Sequence, residues 1–386
     1  MLPNCRSYWF RDEEIHLPDK FTPVEPIGQG ASSVVFSAAD KTRCNKVAIK
    51  KLKNALKGSG FGYRALNEVL IMRLLKHENI VAVKELFIPD KGASDLYIVT
   101  ELIETDLASV LKSAQGISNF QSRIIFYQVM CGLKYMHSVG VIHRDIKPRN
   151  ILLSASCDVK ICDFGLSWFR QIDDPFLGNI ICTRWYRPPE ILCEAYTHDE
   201  KVDVFSAGCV LAEIASRKPL LPGLNEEEQL KLIVRRFGPV PSEDLSGFPD
   251  GYYSKLLLKL SNSCHQIGDL ESYLGETVQP CICKLIRSLC TFDPEKRLSA
   301  SETVDMALFA DLVEARTDNI PPWRVVHVSR LDKNTVHHLI LRECERTIDR
   351  DSDSEGILEF PKLSKCLSPV DQGGLSRCFP DLATCQ

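Results

Sequence analysis

Four polar side chains with the chemistry of phosphoryl transfer lie in the stretches "HRDIKPRNILL" and "KICDFGLS". Asp145 and Lys147 are two residues apart, Asn150 lies five residues after Asp145, and Asp163 lies eighteen residues after it. An aspartate can orient an attacking hydroxyl, and an ammonium can stabilise the oxygens of a phosphoryl group in transfer. Asn and Asp side chains also offer oxygens to Mg²⁺. A surface loop could carry the same charges without function, but their ordered spacing favours a catalytic site.

A lysine and a glutamate from two other segments are predicted to pair. In the strand-like "KVAIKKL", alternation places Ala48 and Lys50 on one face. In the helical "GYRALNEVLIMRLLKHENI", Glu68 has apolar residues three and four positions away. Burial of that carboxylate without a partner would cost at least several kcal/mol, so it needs a cation. Lys50 is the candidate, although a lysine on a strand often marks only a solvated face.

The segment "IGQGASSVV" predicts a turn that can approach a phosphate closely. Gly28 and Gly30 have no Cβ to keep a ligand away from the backbone, and Ser33 stands where a third glycine would complete a Gly-x-Gly-x-x-Gly pattern. The turn lies between two strands, which argues against a Rossmann dinucleotide site, where a strand leads into a helix. Without other motifs, a purely structural hairpin would explain it equally well.

Length, composition and net charge indicate which classes of protein the chain can belong to. The 386 residues are 44% hydrophobic and 25% charged, enough for two domains with buried cores. No signal-peptide core and no run of about 20 apolar residues is present, so we expect no membrane contact and a cytoplasmic or nuclear protein. The 16 cysteines are scattered, which favours reduced thiols. The net charge of −4 gives no electrostatic basis for binding nucleic acid.

Secondary-structure patterns change along the chain. The first hundred residues read mainly as strands with one helix, and long helices follow from residue 118. Ser118 and Gln121 form a predicted capping box ahead of "RIIFYQVMCGLKYMHSVG". The stretch 201–217 is apolar on most faces and predicts a buried helix.

These motifs together resemble the eukaryotic protein kinases over about residues 21–312. The glycine loop, Val-Ala-Ile-Lys, the helix glutamate, His-Arg-Asp, Asp-Phe-Gly and Pro-Glu occur in the order of that family. The segments "ELIETDL" and "TRWYRPPEIL", the insert-like stretch 222–270 and the helix "NTVHHLILRECERTI" resemble the mitogen-activated, proline-directed branch. The resemblance implies an α+β bilobal kinase fold, with a small β-rich N-lobe and a larger α-helical C-lobe.

The domain boundaries follow from the same resemblance. We expect an N-terminal extension at 1–20, the N-lobe at 21–103, the C-lobe at 104–312, a C-terminal extension packed on the kinase domain at 313–350, and a flexible tail at 351–386.

The resemblance assigns catalysis to Asp145, Lys147, Lys50 and Glu68, and Mg²⁺ ligation to Asn150 and Asp163. Asp145 would accept the proton of the substrate hydroxyl, Lys147 would contact the γ-phosphate, and Lys50 would bind the α- and β-phosphates of ATP. Glu190 and Arg297 are expected to form a buried structural salt bridge.

The resemblance also implies an ATP pocket covered by the glycine loop, with Thr100 as a small gatekeeper residue. The residues are Ile27, Val35, Ala48 and Leu152 around the adenine; Glu101 and Ile103 along its edge; Asp106 near the ribose; and Gly28, Gln29, Gly30, Ala31, Ser32, Ser33 and Val34, with Lys50, around the phosphates.

The expected substrates are proteins, and the expected enzyme is a monomer. By the same resemblance, Lys147 within "HRDIKPRN" points to serine and threonine as acceptors, because tyrosine kinases carry a different sequence at this position. Thr183 and Arg187 in "TRWYR" would form the wall for the residue after the acceptor and favour proline there.

The loop before "TRWYR" departs from the resembled branch. There, Arg187 would meet a phosphotyrosine of a Thr-x-Tyr pair, but positions 178–180 hold Gly, Asn and Ile. We therefore expect a loop that dual phosphorylation does not switch, with acidic residues of the chain itself bound to the arginines. Asp173 and Asp174 are the nearest candidates, for Arg144 or Arg187; solvated arginines are the alternative.

Two alternatives remain open at this stage. A pseudokinase or scaffold would bind nucleotide and partners without efficient transfer, which Ser33 and the missing loop phosphosites favour and the intact Lys50, Asp145 and Asp163 disfavour. A relative of the cyclin-dependent or glycogen-synthase kinases would share the proline preference. The predicted helix after residue 332 disfavours this second alternative.

Overall fold

The computed structural model describes residues 5–10, 12–30, 32–57, 59–89, 93–170, 183–195, 199–245, 248–263, 268–312 and 333–348. The predictions for Ala31, Asp173, Asp174, the positions 178–180 and the tail 351–386 concern residues outside these ranges. Within the described ranges, no helix combines the length and apolar character needed to cross a membrane.

The N-lobe is built on a five-stranded antiparallel sheet. Its strands are β3 (Phe21–Gln29), β4 (Ser33–Asp40), β5 (Asn45–Leu52), β6 (Val83–Phe87) and β7 (Leu96–Glu101), in the spatial order β3-β4-β5-β7-β6. Helix α1 (Ser59–Leu74) connects β5 to β6. β5 alternates as the sequence predicted, because Val47 and Ile49 are buried while Ala48 and Lys50 are partly exposed.

A hairpin precedes this sheet and packs on it. The hairpin consists of β1 (Cys5–Phe10) and β2 (Glu13–Pro18). Ile15 and Leu17 of β2 are fully buried in the same core cluster as Phe36, and the ring of Phe10 stacks on that of Phe36 at 5.4 Å. Residues 1–20 were predicted to be an N-terminal extension. The described part of this extension packs on the N-lobe sheet, because alternate residues of β2 contribute to the same core.

The C-lobe is mainly helical. Its helices are α2 (Leu107–Lys112), α3 (Asn119–Ser138), α4 (Pro189–Leu192), α5 (Lys201–Ser216), α6 (Glu226–Phe237), α7 (Tyr252–Ser263), α8 (Leu270–Leu274), α9 (Pro280–Leu289) and α10 (Ala300–Val304). Its short strands are β8 (Thr105–Asp106), β9 (Val141–Ile142), β10 (Ile151–Leu153), β11 (Val159–Ile161) and β12 (Trp168–Phe169). β8, β10 and β11 form one small sheet, and β9 pairs with β12. Single 3-10 turns occur at Pro148–Asn150, Arg184–Tyr186, Ser242–Leu245, Pro294–Lys296 and Ala307–Leu312.

Two local predictions for the C-lobe helices are confirmed. Ser118 Oγ accepts a hydrogen bond from the Gln121 backbone N–H at 3.2 Å, and Gln121 Oε1 accepts one from the Ser118 N–H at 2.9 Å. This capping box starts α3, because it satisfies backbone donors that the first turn leaves open. α5 is buried along most of its length, as its apolar sequence indicated.

The last described helix, α11 (Lys333–Ile348), packs back on the N-lobe. Val336, Ile340 and Cys344 are buried in the main core, and a Cβ at Gly62 of α1 would lie 3.3 Å from Cγ1 of Val336. The segment expected to extend beyond the kinase domain is thus helical over this range and covers α1.

Candidate active site

The Lys50 ammonium lies between two carboxylates. Its Nζ is 2.6 Å from Glu68 Oε1 and 2.8 Å from Asp163 Oδ1. The Glu68 side chain is only 4% exposed, whereas that of Asp163 is 47% exposed. The predicted Lys50–Glu68 pair is therefore confirmed. Asp163 is a second partner that the local sequence around Lys50 could not indicate, because the two residues are 113 positions apart.

The charges of this cluster stabilise one another. Burial lowers the pKa of Lys50, but the carboxylates of Asp163 and Glu68 outweigh it and raise that pKa above its ordinary value. The Lys50 charge lowers the pKa of Asp163 to about 2, against the effect of burial. Burial raises the pKa of Glu68, and the Lys50 charge opposes that shift. Lys50 and Asp163 are consequently both charged near neutral pH.

The backbone after β11 turns sharply to present Asp163. Asp163 has φ of 64°, in the left-handed region that non-glycine residues seldom adopt. Phe164 is fully buried, and its ring meets that of His143 edge-on at 5.4 Å. Gly165 lies directly beside the ion pair, because a Cβ there would be 3.4 Å from Glu68 Oε2, in van der Waals contact with it. Burial of Phe164 thus helps hold the strained aspartate towards Lys50.

A second cluster forms in the loop between β9 and β10. Lys147 Nζ donates to Asp145 Oδ2 at 2.6 Å. Asn150 Nδ2 donates to the Asp145 carbonyl at 2.8 Å and to Asp145 Oδ2 at 3.0 Å. Asp145 and Asn150 are 9% and 5% exposed. The three polar residues singled out in "HRDIKPRN" therefore converge on one carboxylate.

Backbone contacts join the two clusters. The Cys162 N–H donates to the Asn150 carbonyl at 3.0 Å, and His143 Nε2 lies 3.0 Å from the Cys162 carbonyl. Because Cys162 directly precedes Asp163, these contacts place the Lys50 cluster beside the Asp145 cluster. All six residues predicted for catalysis and metal binding thus meet in one region between the lobes.

A buried residue that the sequence patterns did not single out shapes this loop. Asp203 of α5 is fully buried and accepts hydrogen bonds from the backbone N–H groups of His143 at 2.8 Å and Arg144 at 2.7 Å. His137 Nε2 lies 2.9 Å from it. Burial raises the pKa of Asp203, but these hydrogen bonds and nearby charges outweigh it and lower that pKa overall. An aspartate within the apolar "KVDVFSAG" was the available signal, since a buried carboxylate requires donors.

Strand pairing arranges the predicted nucleotide residues around a cleft. Val35 of β4 lies opposite both Gly28 and Lys50, and cross-strand partners share a face of the sheet. Ala48 pairs with Thr100 in the same way. Ile27 is 53% exposed at the edge of β3.

The remaining nucleotide residues lie at the hinge and on the C-lobe side. Leu152 of β10 pairs with Asp106 of β8. Asp106 also caps α2, because its Oδ1 accepts from the Ser109 N–H at 2.9 Å. The Glu101 carboxylate pairs with Lys160 at 3.0 Å, so the side chain is occupied and only the backbone of Glu101 can face a nucleotide. The partly buried Ile103 lies two residues further along the segment that connects the lobes.

Val34, which was predicted beside the phosphates, has its side chain on the core side of the sheet. It is 4% exposed and packs with the hairpin residues Ile15 and Leu17, on the face of the sheet opposite Val35. Its side chain therefore belongs to the N-lobe core, since alternate residues of a strand point to opposite faces. Only its backbone is available to the glycine loop.

The glycine loop closes through main-chain hydrogen bonds. The Gly30 N–H donates to the Ser33 carbonyl at 2.8 Å, and the Ser32 carbonyl accepts from the Lys53 N–H at 2.9 Å. A Cβ at Gly30 would lie 3.3 Å from Ser33 Oγ. Ser33 therefore closes the turn through its backbone carbonyl, and its hydroxyl lies beside Gly30. Gln29 precedes it as the last residue of β3.

A small cavity lies beside Asp145 and is bordered by Thr183 and Arg187. Its other lining residues are Arg144, Ile146, Tyr186, Pro188, Ile191, Val202 and Ser206. Ser206 Oγ donates to the Tyr186 carbonyl at 2.8 Å, which anchors the 3-10 turn Arg184–Tyr186 on α5. Both predicted specificity residues are therefore adjacent to the catalytic aspartate candidate.

The described acidic partner of the "TRWYR" arginines is Glu226. Arg184 Nε lies 2.9 Å from Glu226 Oε1, and Arg187 Nη1 lies 3.6 Å from the same oxygen. Arg144 instead donates through Nε to the Leu166 carbonyl at 2.7 Å. Glu226 lies 42 positions after Arg184, and no local pattern in the sequence indicated it. Asp173 and Asp174, the partners predicted for Arg144 or Arg187, lie outside the described residues, so that pairing stays a prediction.

Comparisons with known proteins agree with this arrangement. The family model of the protein kinase domain matches residues 21–309. Mitogen-activated protein kinase homolog 1 of Petunia hybrida is 37% identical over 304 residues, which cover 78% of each chain. Mitogen-activated protein kinase homolog NTF3 of Nicotiana tabacum is 38% identical over 314 residues, 81% of this chain and 84% of the tobacco protein. Mitogen-activated protein kinase 7 of Arabidopsis thaliana is 36% identical over 326 residues, 84% and 87% of the two chains.

Proposed function

Because the chain belongs to the protein kinases and, among them, to the mitogen-activated protein kinases, we propose that it phosphorylates serine and threonine residues followed by proline in other proteins. The phosphoryl donor is ATP, and Mg²⁺ is its metal cofactor. The observation that carries the proposal is the convergence of the Lys50–Glu68–Asp163 and Asp145–Lys147–Asn150 clusters through Cys162.

Asn150 and Asp163 are suited to hold the metal ion. Asn150 uses its Nδ2 for two hydrogen bonds to Asp145, which directs the amide nitrogen inward and leaves the amide oxygen as its ligand atom. Asp163 uses Oδ1 for Lys50, so Oδ2 is its second oxygen. Carboxylate and amide oxygens are the hard ligands that Mg²⁺ prefers. When bound, the ion supplies positive charge that neutralises phosphate oxygens.

Lys50 binds the α- and β-phosphates while Glu68 keeps its ammonium in place. Buried Glu68 cannot turn towards water, so it fixes Lys50 more firmly than the half-exposed Asp163 does. Ile27, Val35, Ala48 and Leu152 bracket the adenine, Glu101 and Ile103 offer backbone groups to it, and Asp106 lies near the ribose.

Asp145 orients the substrate hydroxyl and accepts its proton as the new O–P bond forms and the bond from the γ-phosphorus to the β,γ-bridging oxygen breaks. Lys147, 2.6 Å from Asp145, stabilises the transferring oxygens. Asp203 supports this geometry through the backbone of the loop, since it accepts the N–H groups of His143 and Arg144. Positioning and charge neutralisation account for most of the catalysis of such transfers.

Thr183 and Arg187 contact the residue after the acceptor, because they line the cavity that contains Asp145. We also propose that the enzyme acts as a monomer in the cytoplasm or nucleus. Those compartments keep thiols reduced, which suits the described cysteines, since they are present as thiols and not as disulfides.

Transfer of label from [γ-³²P]ATP to a Ser-Pro peptide tests the activity. We expect transfer by the wild type, and a loss of about 10²- to 10⁴-fold in kcat for Asp145→Asn with nucleotide binding retained. Asp158→Asn is the matched control, because Asp158 is an exposed aspartate bonded to Ser154 and Ser156 at a distance from the cleft.

Binding of ATP without transfer by the wild type would contradict the proposal. Equal transfer to Ser-Pro and Ser-Ala peptides would retain the kinase activity and remove the proline preference.

A further inference from the structure

The wall beside the acceptor site contains two arginines that share one carboxylate. The side chains of Arg184 and Arg187 are 32% and 16% exposed, and both reach Glu226 Oε1. Two neighbouring guanidinium groups repel each other unless an anion lies between them. Glu226 provides that negative charge in the partly buried setting, where charges interact more strongly than in bulk water.

The backbone that carries Glu226 is anchored at the start of a capped helix. It is the first residue of α6, where Asn225 caps the helix by accepting from the Glu228 N–H at 2.9 Å. A carboxylate at the start of a helix is stabilised by the helix dipole. Gly223, just upstream, donates its N–H to Gln229 Oε1 at 3.1 Å and has no room for a Cβ, which would lie 2.5 Å from that oxygen.

Two further hydrogen bonds connect the same pair of segments. Arg184 Nη1 donates to the Leu224 carbonyl at 3.1 Å, and Trp185 Nε1 donates to the Gly223 carbonyl at 3.2 Å. The 3-10 turn Arg184–Tyr186 is therefore attached to the start of α6 by side-chain and backbone acceptors together.

The loop between Phe164 and Thr183 offers almost no hydroxyl group that could be phosphorylated. Ser167 is its only serine, threonine or tyrosine. Ser167 is 1% exposed, and its Oγ donates to the His143 carbonyl at 3.2 Å. A modifying enzyme could reach that hydroxyl only after local unfolding.

The base of the loop is also connected to α1 without a phosphate. Asn67 of α1, which is 3% exposed, donates through Nδ2 to the Ser167 carbonyl at 2.6 Å. Because Glu68 follows Asn67, this bond holds the glutamate that pairs with Lys50. Arg144 is engaged nearby by the Leu166 carbonyl and lies 5.7 Å from the ring of Trp168.

We propose that Glu226 is a positioning residue for substrate recognition: its carboxylate orders Arg184 and Arg187 so that the acceptor wall forms without phosphorylation of the loop. This inference rests on the proposed kinase function. Glu226 touches neither ATP nor the reacting atoms. It acts through the two arginines.

Steady-state kinetics on phosphatase-treated protein, confirmed free of phosphate by intact mass, test the inference. We expect the wild type to keep its activity on a Ser-Pro peptide within about twofold. Glu226→Gln should lower kcat/KM for the peptide by about tenfold or more through a misplaced wall, mainly in the peptide KM, with the KM for ATP unchanged. Glu226→Asp should restore part of the loss.

The matched control is Glu227→Gln, which removes the same charge one residue away. Glu227 accepts from the exposed Tyr252 hydroxyl, and its amide counterpart can still accept that bond. Arg184→Gln serves as a second variant on the other side of the contact. The double variant Arg184→Gln/Glu226→Gln should lose less than the sum of the two single losses, because both substitutions remove the Arg184–Glu226 contact.

A readout of selectivity separates positioning from general stability. The ratio of kcat/KM for Ser-Pro over Ser-Ala peptides should fall in Glu226→Gln and stay unchanged in Glu227→Gln, at equal melting temperatures. Unchanged peptide kinetics in Glu226→Gln would overturn the inference, as would loss of wild-type activity on phosphatase treatment. Wild-type protein that transfers no phosphate before treatment would instead overturn the proposed function.

Discussion

Lys50 has two carboxylates within hydrogen-bonding distance, and they differ in their access to solvent. Glu68 is almost fully buried, whereas nearly half of the Asp163 side chain is exposed to the cleft. Glu68 is therefore the group that holds the ammonium, and Asp163 is the group that can also meet a ligand. Lys50 thus contacts one carboxylate that holds it in place, Glu68, and one that faces the cleft, Asp163.

Glu68→Gln is expected to misplace Lys50 and to lower kcat/KM for ATP by about 10²-fold. The amide can still accept a hydrogen bond but carries no charge to hold the ammonium. Kinetics at varied ATP concentration measure the effect.

The control is Glu85→Gln, which breaks another N-lobe ion pair. Glu85 is 8% exposed and lies 2.6 Å from Lys20, away from the cleft. We expect this variant to retain its ATP kinetics. Equal losses in both variants would attribute the effect to N-lobe stability instead of Lys50 placement.

At the scale of elements, the Glu190–Arg297 pair joins α4 to the turn after α9. Arg297 Nη1 and Nη2 donate to the two carboxylate oxygens of Glu190 at 2.7 and 2.8 Å, which confirms the predicted bridge. Arg297 is 2% exposed and also donates to the carbonyls of Thr291 and Phe292. Its fifth hydrogen bond goes to the Lys201 carbonyl at 3.0 Å, so all five N–H groups of the guanidinium connect segments.

Arg297→Ala should lower the free energy of unfolding by about 3–5 kcal/mol, because the buried Glu190 carboxylate loses its counter-charge. Urea unfolding followed by circular dichroism measures the change. Arg235→Ala is the control: Arg235 is 70% exposed and pairs with Asp269, so its loss should cost at most about 1 kcal/mol. A similar small loss for Arg297→Ala would contradict the structural role.

At the scale of the whole molecule, the chain returns to the N-lobe after completing the C-lobe. α11 packs against α1, the helix that carries Glu68, and Arg73 Nε of α1 lies 3.1 Å from Glu343 Oε2. Both side chains of this pair are less than 10% exposed. The position of α1 relative to the cleft therefore depends on a helix that lies more than 250 residues later in the chain.

Ile340→Ala tests this dependence. Ile340 is fully buried, so its truncation should lower the free energy of unfolding by about 2–5 kcal/mol. We also expect kcat/KM to fall, since a loosened α1 holds Glu68 less firmly against Lys50. His338→Ala, at an exposed position of the same helix, should change neither quantity. Full activity of Ile340→Ala at unchanged stability would show that α11 does not support α1.

Contacts between nearby residues could be predicted well from the sequence. The capping box of α3, the alternation along β5 and the burial of α5 follow from patterns of a few residues, because backbone geometry sets side-chain direction locally. The need of Glu68 for a cation could also be inferred, since a carboxylate on an apolar helix face requires a counter-charge. These rules identified Lys50 as the cation for Glu68 without knowledge of the fold.

The choice among distant partners required the tertiary structure. Asp163, Asp203 and Glu226 reach their partners across 113, 60 and 42 positions. The packing of the hairpin at residues 5–18 on the N-lobe sheet is likewise visible only in the tertiary structure. Sequence alone determined which side chains carry charge and which local faces are apolar. Which charges neutralise each other was decided only by the packing of the two lobes, because electrostatic pairing depends on distance in space and not on separation along the chain.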